Sequence, residues 1–259
     1  GVHPSIIVRG YSVALEECIK ETRRVSRGAN NLQKSQVVNT SLQGKGDSVI
    51  CKLIASLAIK AADELASMKG NDDLERIMVK RLQISEGSVM DTSLVRGLLI
   101  LKARMDIDTP ANSKGGNIAI IDGGLEKPKL DSDATLEISS PGVMRNFHER
   151  AVEKMHQQVA QLEKLGIDLI VIREGVDDEA ISSLNKAGIV SYRRFEKDDM
   201  DLLASITGAI PVRNIQSLSS EHLGCYTKRS EIKIGDVKHT LIEGDGDGMT
   251  LAVRGSSSV

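Results

Sequence analysis

The feature that most constrains the fold is an alternation in the second half of the chain. Three short aliphatic runs, Ile167–Ile172, Gly188–Tyr192 and Ala209–Arg213, are separated by two stretches of helical periodicity, Asp177–Ala187 and Asp198–Thr207. Parallel strands need a crossover between them, so strand, helix, strand, helix, strand predicts a parallel sheet with helices packed on it. Each helical stretch carries an Asp at its expected cap and a Gly just past its end, Gly188 and Gly208. Ahead of them Arg145–Leu165 is the longest amphipathic stretch of this half, with Val152, Met155, Val159, Leu162 and Leu165 on one face and Gly166 placed to end it. Leu98–Leu101 and Ile118–Ile121 read as further buried strands. Glu231–Ile234, Lys238–Ile242 and Met249–Val253 read as antiparallel additions joined by Gly-Asp turns. The predicted class is α/β.

The first half has a different texture. His3-Pro4-Ser5 starts a helix whose apolar face is Ile6, Ile7, Tyr11, Ala14, Leu15, Cys18 and Ile19, ending by Gly28. A second helix runs from about Asp47, its cap, to Met68, with Val49, Ile50, Leu53, Ile54, Leu57, Ala61 and Leu65 as its stripe. From Leu94 the strand-like runs begin, so a new domain is expected there. The chain opens without Met and closes on a Ser-rich segment, Gly255–Val259, so it is read as a piece of something longer.

Composition narrows the partners. With 34 Lys+Arg against 36 Asp+Glu, a net charge of −2, nothing points to nucleic acid. The aromatic residues are Tyr11, Phe147, Tyr192, Phe195 and Tyr226, and there is no Trp, so the cores must be aliphatic and stacking platforms for single strands or sugars are excluded. Three scattered cysteines, Cys18, Cys51 and Cys225, form no CxxC pair, which fits a reducing compartment. Cys18 and Cys51 lie on apolar helical faces, where small core residues are expected. No apolar run is long enough to span a bilayer. The expected location is cytoplasmic, with no membrane.

Candidate chemistry is sparse. Glu243-Gly244-Asp245-Gly246-Asp247-Gly248 has the look of a phosphate or Ca²⁺ loop, but its glycines alternate and lead into a strand rather than a helix, and no bidentate Glu follows. A Gly-rich hairpin turn is the plainer reading. A small-molecule or metal-binding α/β domain built on Gly244–Gly248 stands as the alternative function, and a purely structural interaction module as a third. Gly44-Lys45-Gly46 precedes the helix at Asp47, where backbone N–H groups and an ammonium can face a phosphate, although the spacing is not that of a Walker loop. Glu153 and His156 show the i, i+3 spacing of a di-iron ligand pair, but one copy makes no site, and His156 is read as solvated. Val143, Met144 and Phe147 near the tip of the long helix, and Leu202, Leu203 and Ile206 further on, are apolar sets that serve either packing or contact with a partner. No catalytic residue is assigned.

Taken together, the segments resemble a group II chaperonin subunit, the family of the archaeal thermosome and the eukaryotic cytosolic chaperonin. Gly1–Ile7 with Gly10-Tyr11 is similar to that family's "GIHP…GY", Thr40–Gly46 to its "T-GKG" loop, and Asp91–Gly97 to "DTELIKG". Glu137–Pro141 is similar to the segment leading into the helical protrusion. Gly175–Asp178, Ala187–Ile189, Arg193-Arg194, Lys197–Met200 and Thr207–Ala209 are similar to "GIDD", "AGI", "RR", "KSDM" and "TGA". Thr109-Pro110 where the family usually has "MP", and Asp122-Gly123-Gly124 within its "DAPLE", are departures.

The resemblance implies a chaperonin apical domain with a β-α-β-α-β core, hairpins and a long helical protrusion, plus a helical intermediate-domain segment. Residues 1–28 would end an equatorial helix, 29–97 form an intermediate segment, 98–248 the apical domain with its protrusion near 139–166, and 249–259 the return strand. The implied function is capture of unfolded polypeptide, and closure of a built-in lid, within an ATP-driven double ring of sister subunits. Asp199, Leu202, Leu203, Ile206, Val143, Met144 and Phe147 would meet the client, while Gly44, Lys45 and Gly46 would sense the γ-phosphate. ATP and Mg²⁺ would belong to the full-length parent, an ATPase. The phosphate loop and catalytic Asp would lie outside this chain, which is expected to need no cofactor and to be inactive alone.

Overall fold

The computed structural model describes residues 2–67, 79–126 and 141–255, with residues 141–148 and 151 described as helical backbone alone. Two compact units are present, Gly1–Ile59 and Lys60–Val259.

In the first unit, α1 (Pro4–Val25) starts as the sequence dictates: Pro4 occupies the first turn and the Ser5 N–H donates to His3 Nδ1 at 3.3 Å. It ends with Arg23 and Arg24 in its last turn, where cations complement the helix dipole. No residue of α1 is buried, so the apolar stripe predicted from its periodicity is there but uncovered, and Cys18 is exposed rather than a core residue. α2 (Asn31–Leu42) was not foreseen from periodicity, because it has no apolar face. It is set by a reciprocal cap in which Gln33 N–H donates to Asn30 Oδ1 at 2.9 Å and Asn30 N–H to Gln33 Oε1 at 3.0 Å. α3 (Ser48–Ser67) follows, and Asp47 caps it as expected, accepting from Val49 N–H at 2.8 Å.

Among the described residues the second unit contains three sheets. The central one has the order β6-β5-β4-β7, from β4 (Gly116–Ile121), β5 (Leu169–Ile172), β6 (Val190–Tyr192) and β7 (Gly224–Tyr226). β4, β5 and β6 are parallel, and β7 is an antiparallel edge. Ile118–Ile121 and Leu169–Ile172 are 0% exposed because both sheet faces are covered, which is why these strands read as unbroken aliphatic runs instead of alternating. One face carries α4 (Pro141–Lys164), through Met155, Val159 and Leu162, and α5 (Asp178–Lys186), through Ala180 and Leu184. The other face carries α6 (Lys197–Thr207) and the inner side of a second sheet, β3-β9-β8, made of β3 (Leu98–Ile100), β8 (Lys228–Ile234) and β9 (Val237–Glu243). The third sheet, β1-β10-β2, pairs β1 (Val79–Ile84) in parallel with β10 (Met249–Arg254) and β10 antiparallel with β2 (Ser93–Arg96).

The mixed α/β class holds, with four adjustments. The β-α-β-α-β succession is β4-α4-β5-α5-β6, one step earlier than predicted. Ala209–Arg213 is no strand but a single bridge, Val212 beside Ile121, with Val212 N–H donating to Ile120 O at 3.0 Å. Pro211 explains this, since it brings no N–H to a ladder. β8 and β9 form the expected hairpin across Gly235-Asp236, but β10 leaves it to join β1 and β2, two strands that sequence reading missed. The residue before α6 is Glu196, with Asp198 inside the first turn, whereas Asp177 stands at the start of α5 as read. Gly208 ends α6 in the left-handed conformation, φ +72.

Candidate functional site

α6 is the element on which most of the sequence-predicted contact residues fall. Asp199, Leu202, Leu203 and Ile206 are 6%, 1%, 0% and 1% exposed. The three apolar side chains belong to the core between α6, the central sheet and β3–β9. This corrects the expectation that they meet a client: the i, i+3/i+4 stripe is the buried side of the helix. What α6 turns outward is Lys197 and Asp198, exposed, and Asp201, Ala204 and Ser205, partly exposed, which share one face at helical spacing. Asp199 is likewise no surface group, because its carboxylate is paired with the Lys80 ammonium from β1.

The Gly-rich loop is a brace for this helix rather than a hairpin turn. Gly246 N–H donates to Ile206 O at 2.9 Å, satisfying a carbonyl that the helix end leaves open, and Ser205 Oγ donates to Asp247 O at 2.7 Å. A side chain on Gly246 would lie 2.1 Å from Ser205 O, and one on Gly244 2.3 Å from Ile206 O. Gly244 and Gly246 are needed because two backbones touch here. Asp245 and Asp247 thereby flank the outward face of α6 at its C-terminal end. Among the described residues no group of three or more His, Cys, Asp or Glu is placed to hold a metal ion.

Under α6 and β9 the core holds a polar knot that sequence reading did not identify. Arg229 is 0% exposed, and its guanidinium donates to Pro110 O at 2.6 Å, Ala111 O at 3.1 Å and Tyr192 Oη at 3.3 Å. Thr240 Oγ1 lies 3.3 Å from the same Tyr192 hydroxyl and donates to Lys102 O at 2.7 Å. Beside it, Arg104 and Glu231 form an ion pair with side chains 9% exposed on both partners. These contacts fix the stretch 102–113 along the edges of β6 and β8, where Met105 N–H also donates to Ser191 O at 2.9 Å. No local pattern announces them, since Arg229 and its carbonyl partners are 118 and 119 residues apart.

At the tips of the central strands Arg173 is paired with Asp122 at 2.6 Å, and that hydrogen bond, together with the charge of Asp122, raises the Arg173 pKa further above its ordinary value. His156 is exposed, as expected, with Nδ1 3.3 Å from Ser183 Oγ.

In the first unit Gly44, Lys45 and Gly46 are exposed in the loop between α2 and α3, and Lys45 N–H donates to Leu42 O at 3.1 Å. The loop thus offers one ammonium beside a helix N-terminus that Asp47 already caps, which is a partial fit to a phosphate and no enclosed pocket. The side chains of Val143, Met144 and Phe147 lie outside the described residues, as does the segment Glu137–Ser140.

The description of the TCP-1/cpn60 chaperonin family matches residues 1–259, every position of the chain. The chain belongs to the TCP-1/cpn60 chaperonin family. Within it, this chaperonin sequence is 30% identical to thermosome subunit beta of Thermoplasma acidophilum over 264 residues, covering 99% of this chain and 48% of that protein. Thermosome subunit alpha of the same organism is 30% identical over 261 residues, again 99% and 48%. The fold is similar to that of an open-state monomer of a group II chaperonin from Methanococcoides burtonii, with TM-score 0.73 and 22% identity, over 100% of this chain and 60% of that one. The chain spans about half the length of these thermosome relatives.

Proposed function

We propose that this chaperonin chain is a polypeptide-capture portion of a ring subunit, with residues 98–248 as its apical domain and α6 as a capture helix. The observation that carries the reading is the match to the chaperonin family over residues 1–259. The face used is the outward one, Lys197, Asp198, Asp201, Ala204 and Ser205, extended by Asp245 and Asp247, rather than the buried stripe named from sequence. A polar, hydrogen-bonding face suits non-native chains, whose backbone groups lack partners. The long α4, which lies within the protrusion region near 139–166, would contribute to a lid. β10 pairing with β1 and β2 supports the reading of 249–259 as a return strand that leaves the apical domain beside the segment by which the chain enters it.

The ATP-driven cycle, the double ring of sister subunits and the cytoplasmic setting are part of the same proposal for the longer protein. There, Lys45 would place a point charge against a terminal phosphate, with Gly44 and Gly46 allowing close approach, and bound ATP with Mg²⁺ would supply the energy of the cycle.

The test is light scattering by a chemically denatured client diluted into buffer with and without the 259-residue chain. Suppression of aggregation near equimolar ratio is expected, with Lys197→Glu/Asp201→Arg weakening it several-fold at unchanged melting temperature. No suppression at tenfold excess would overturn the capture role.

A further inference from the structure

Two attachments hold α6 to the β1–β10 strand pair, and they sit at opposite ends of the helix. In the first turn the Asp199 carboxylate, with a side chain 8% exposed, meets Lys80 of β1, whose side chain is 20% exposed. In the last turn the Gly246 N–H and the Asp247 carbonyl engage Ile206 and Ser205, and the loop then runs directly into β10. β1 and β10 are hydrogen-bonded parallel neighbours, and Lys80 stands in register with Thr250. Thr250 in turn ties the pair to the second sheet, since its Oγ1 accepts from Leu99 N–H at 3.0 Å and donates to Gly97 O at 2.8 Å.

The Lys80–Asp199 pair is not what makes α6 helical. Asp198 already brings negative charge to the helix N-terminus, and the buried apolar stripe supplies the packing. A desolvated ion pair also brings less net stability than well-packed apolar side chains of similar volume, so its contribution lies in direction: a carboxylate so enclosed accepts one seat relative to its lysine.

We propose that Lys80 and Asp199 are positioning residues that, with the 244–248 loop, fasten α6 to the β1–β10 pair. The seat of α6 on the central sheet then follows the first and last strands of this unit. For its consequence in client capture this inference rests on the proposed function; for the seating of the helix it does not.

Hydrogen exchange read by mass spectrometry on the 259-residue chain tests it. In Lys80→Met the amides of α6 are expected to exchange about tenfold faster or more, while those of α5, on the opposite face of the same sheet, keep their wild-type rates. Lys80→Arg, which restores a cation, is expected to return α6 to wild-type protection. Asp199→Asn, isosteric and uncharged, is expected to loosen α6 in the same selective way, and it decides the matter with Lys80→Arg if Lys80→Met does not fold. Unchanged α6 exchange, or equal acceleration in α5 and α6, would overturn the proposal. Client capture measured on the same variants separates the two readings: selective loosening of α6 with capture intact upholds the positioning role and removes α6 from the capture face.

Discussion

Leu203 is 0% exposed in a core shared by α6, the central sheet and β3–β9, and this burial decides how its substitution reads. Leu203→Ala is expected to cost about 2–5 kcal/mol of folding stability, measured by denaturant unfolding, where a surface contact residue would change it by about 0.5 kcal/mol or less. Arg229 is a second such position. Lysine there has the charge but not the fork that reaches two carbonyls and a tyrosine hydroxyl, so Arg229→Lys is expected to destabilise by about 1–3 kcal/mol in the same assay. On the surface of α1, Arg24 holds the Glu21 carboxyl below the usual glutamate range through their hydrogen bonds. A depressed carboxyl pKa contributes stability above the unfolded value and loses it as pH falls through the folded one. The Glu21 carboxyl is therefore expected, by NMR titration, to lose its proton at higher pH in Arg24→Ala than in the unsubstituted chain. At this scale the sequence revealed which residues share a helix face but not which way the face points: Leu202, Leu203 and Ile206 have the same spacing whether they pack or bind. Lys80, the partner of Asp199, and Pro110 and Ala111, two of the partners of Arg229, were invisible because they lie more than a hundred residues away.

Elements were legible where one local rule determined them. Pro4, the Asp47 cap and the aliphatic runs at 118–121 and 169–172 placed α1, α3, β4 and β5. α2 has no apolar stripe, and its Asn30–Gln33 cap was the one signal available. β1 and β10 pair across the whole unit, so only tertiary structure joins them, and Pro211 turned an expected strand into a single bridge. The Gly-rich loop was read as a hairpin turn, and its partner, the end of α6, could not be read from spacing. Because a methyl on Gly246 would meet Ser205 O at 2.1 Å, Gly246→Ala must displace the loop or the helix end. It is expected to destabilise by about 1–3 kcal/mol, and to speed exchange at the C-terminal turn of α6 first.

For the whole molecule, family and fold class were legible in collinear motifs spread over both units, although each motif alone is weak. The uncovered apolar face of α1 had no counterpart in that reading, since periodicity reveals a stripe and not its cover. The capture role is tested most directly by placing a photo-crosslinking side chain at Lys197 or Asp201 on α6, with Glu179 on α5 as the control, and illuminating each protein in the presence of a denatured client. Adducts from positions 197 and 201 that are several-fold more abundant than from 179 are the expected result; equal yields from the three positions, or none from α6, would contradict it.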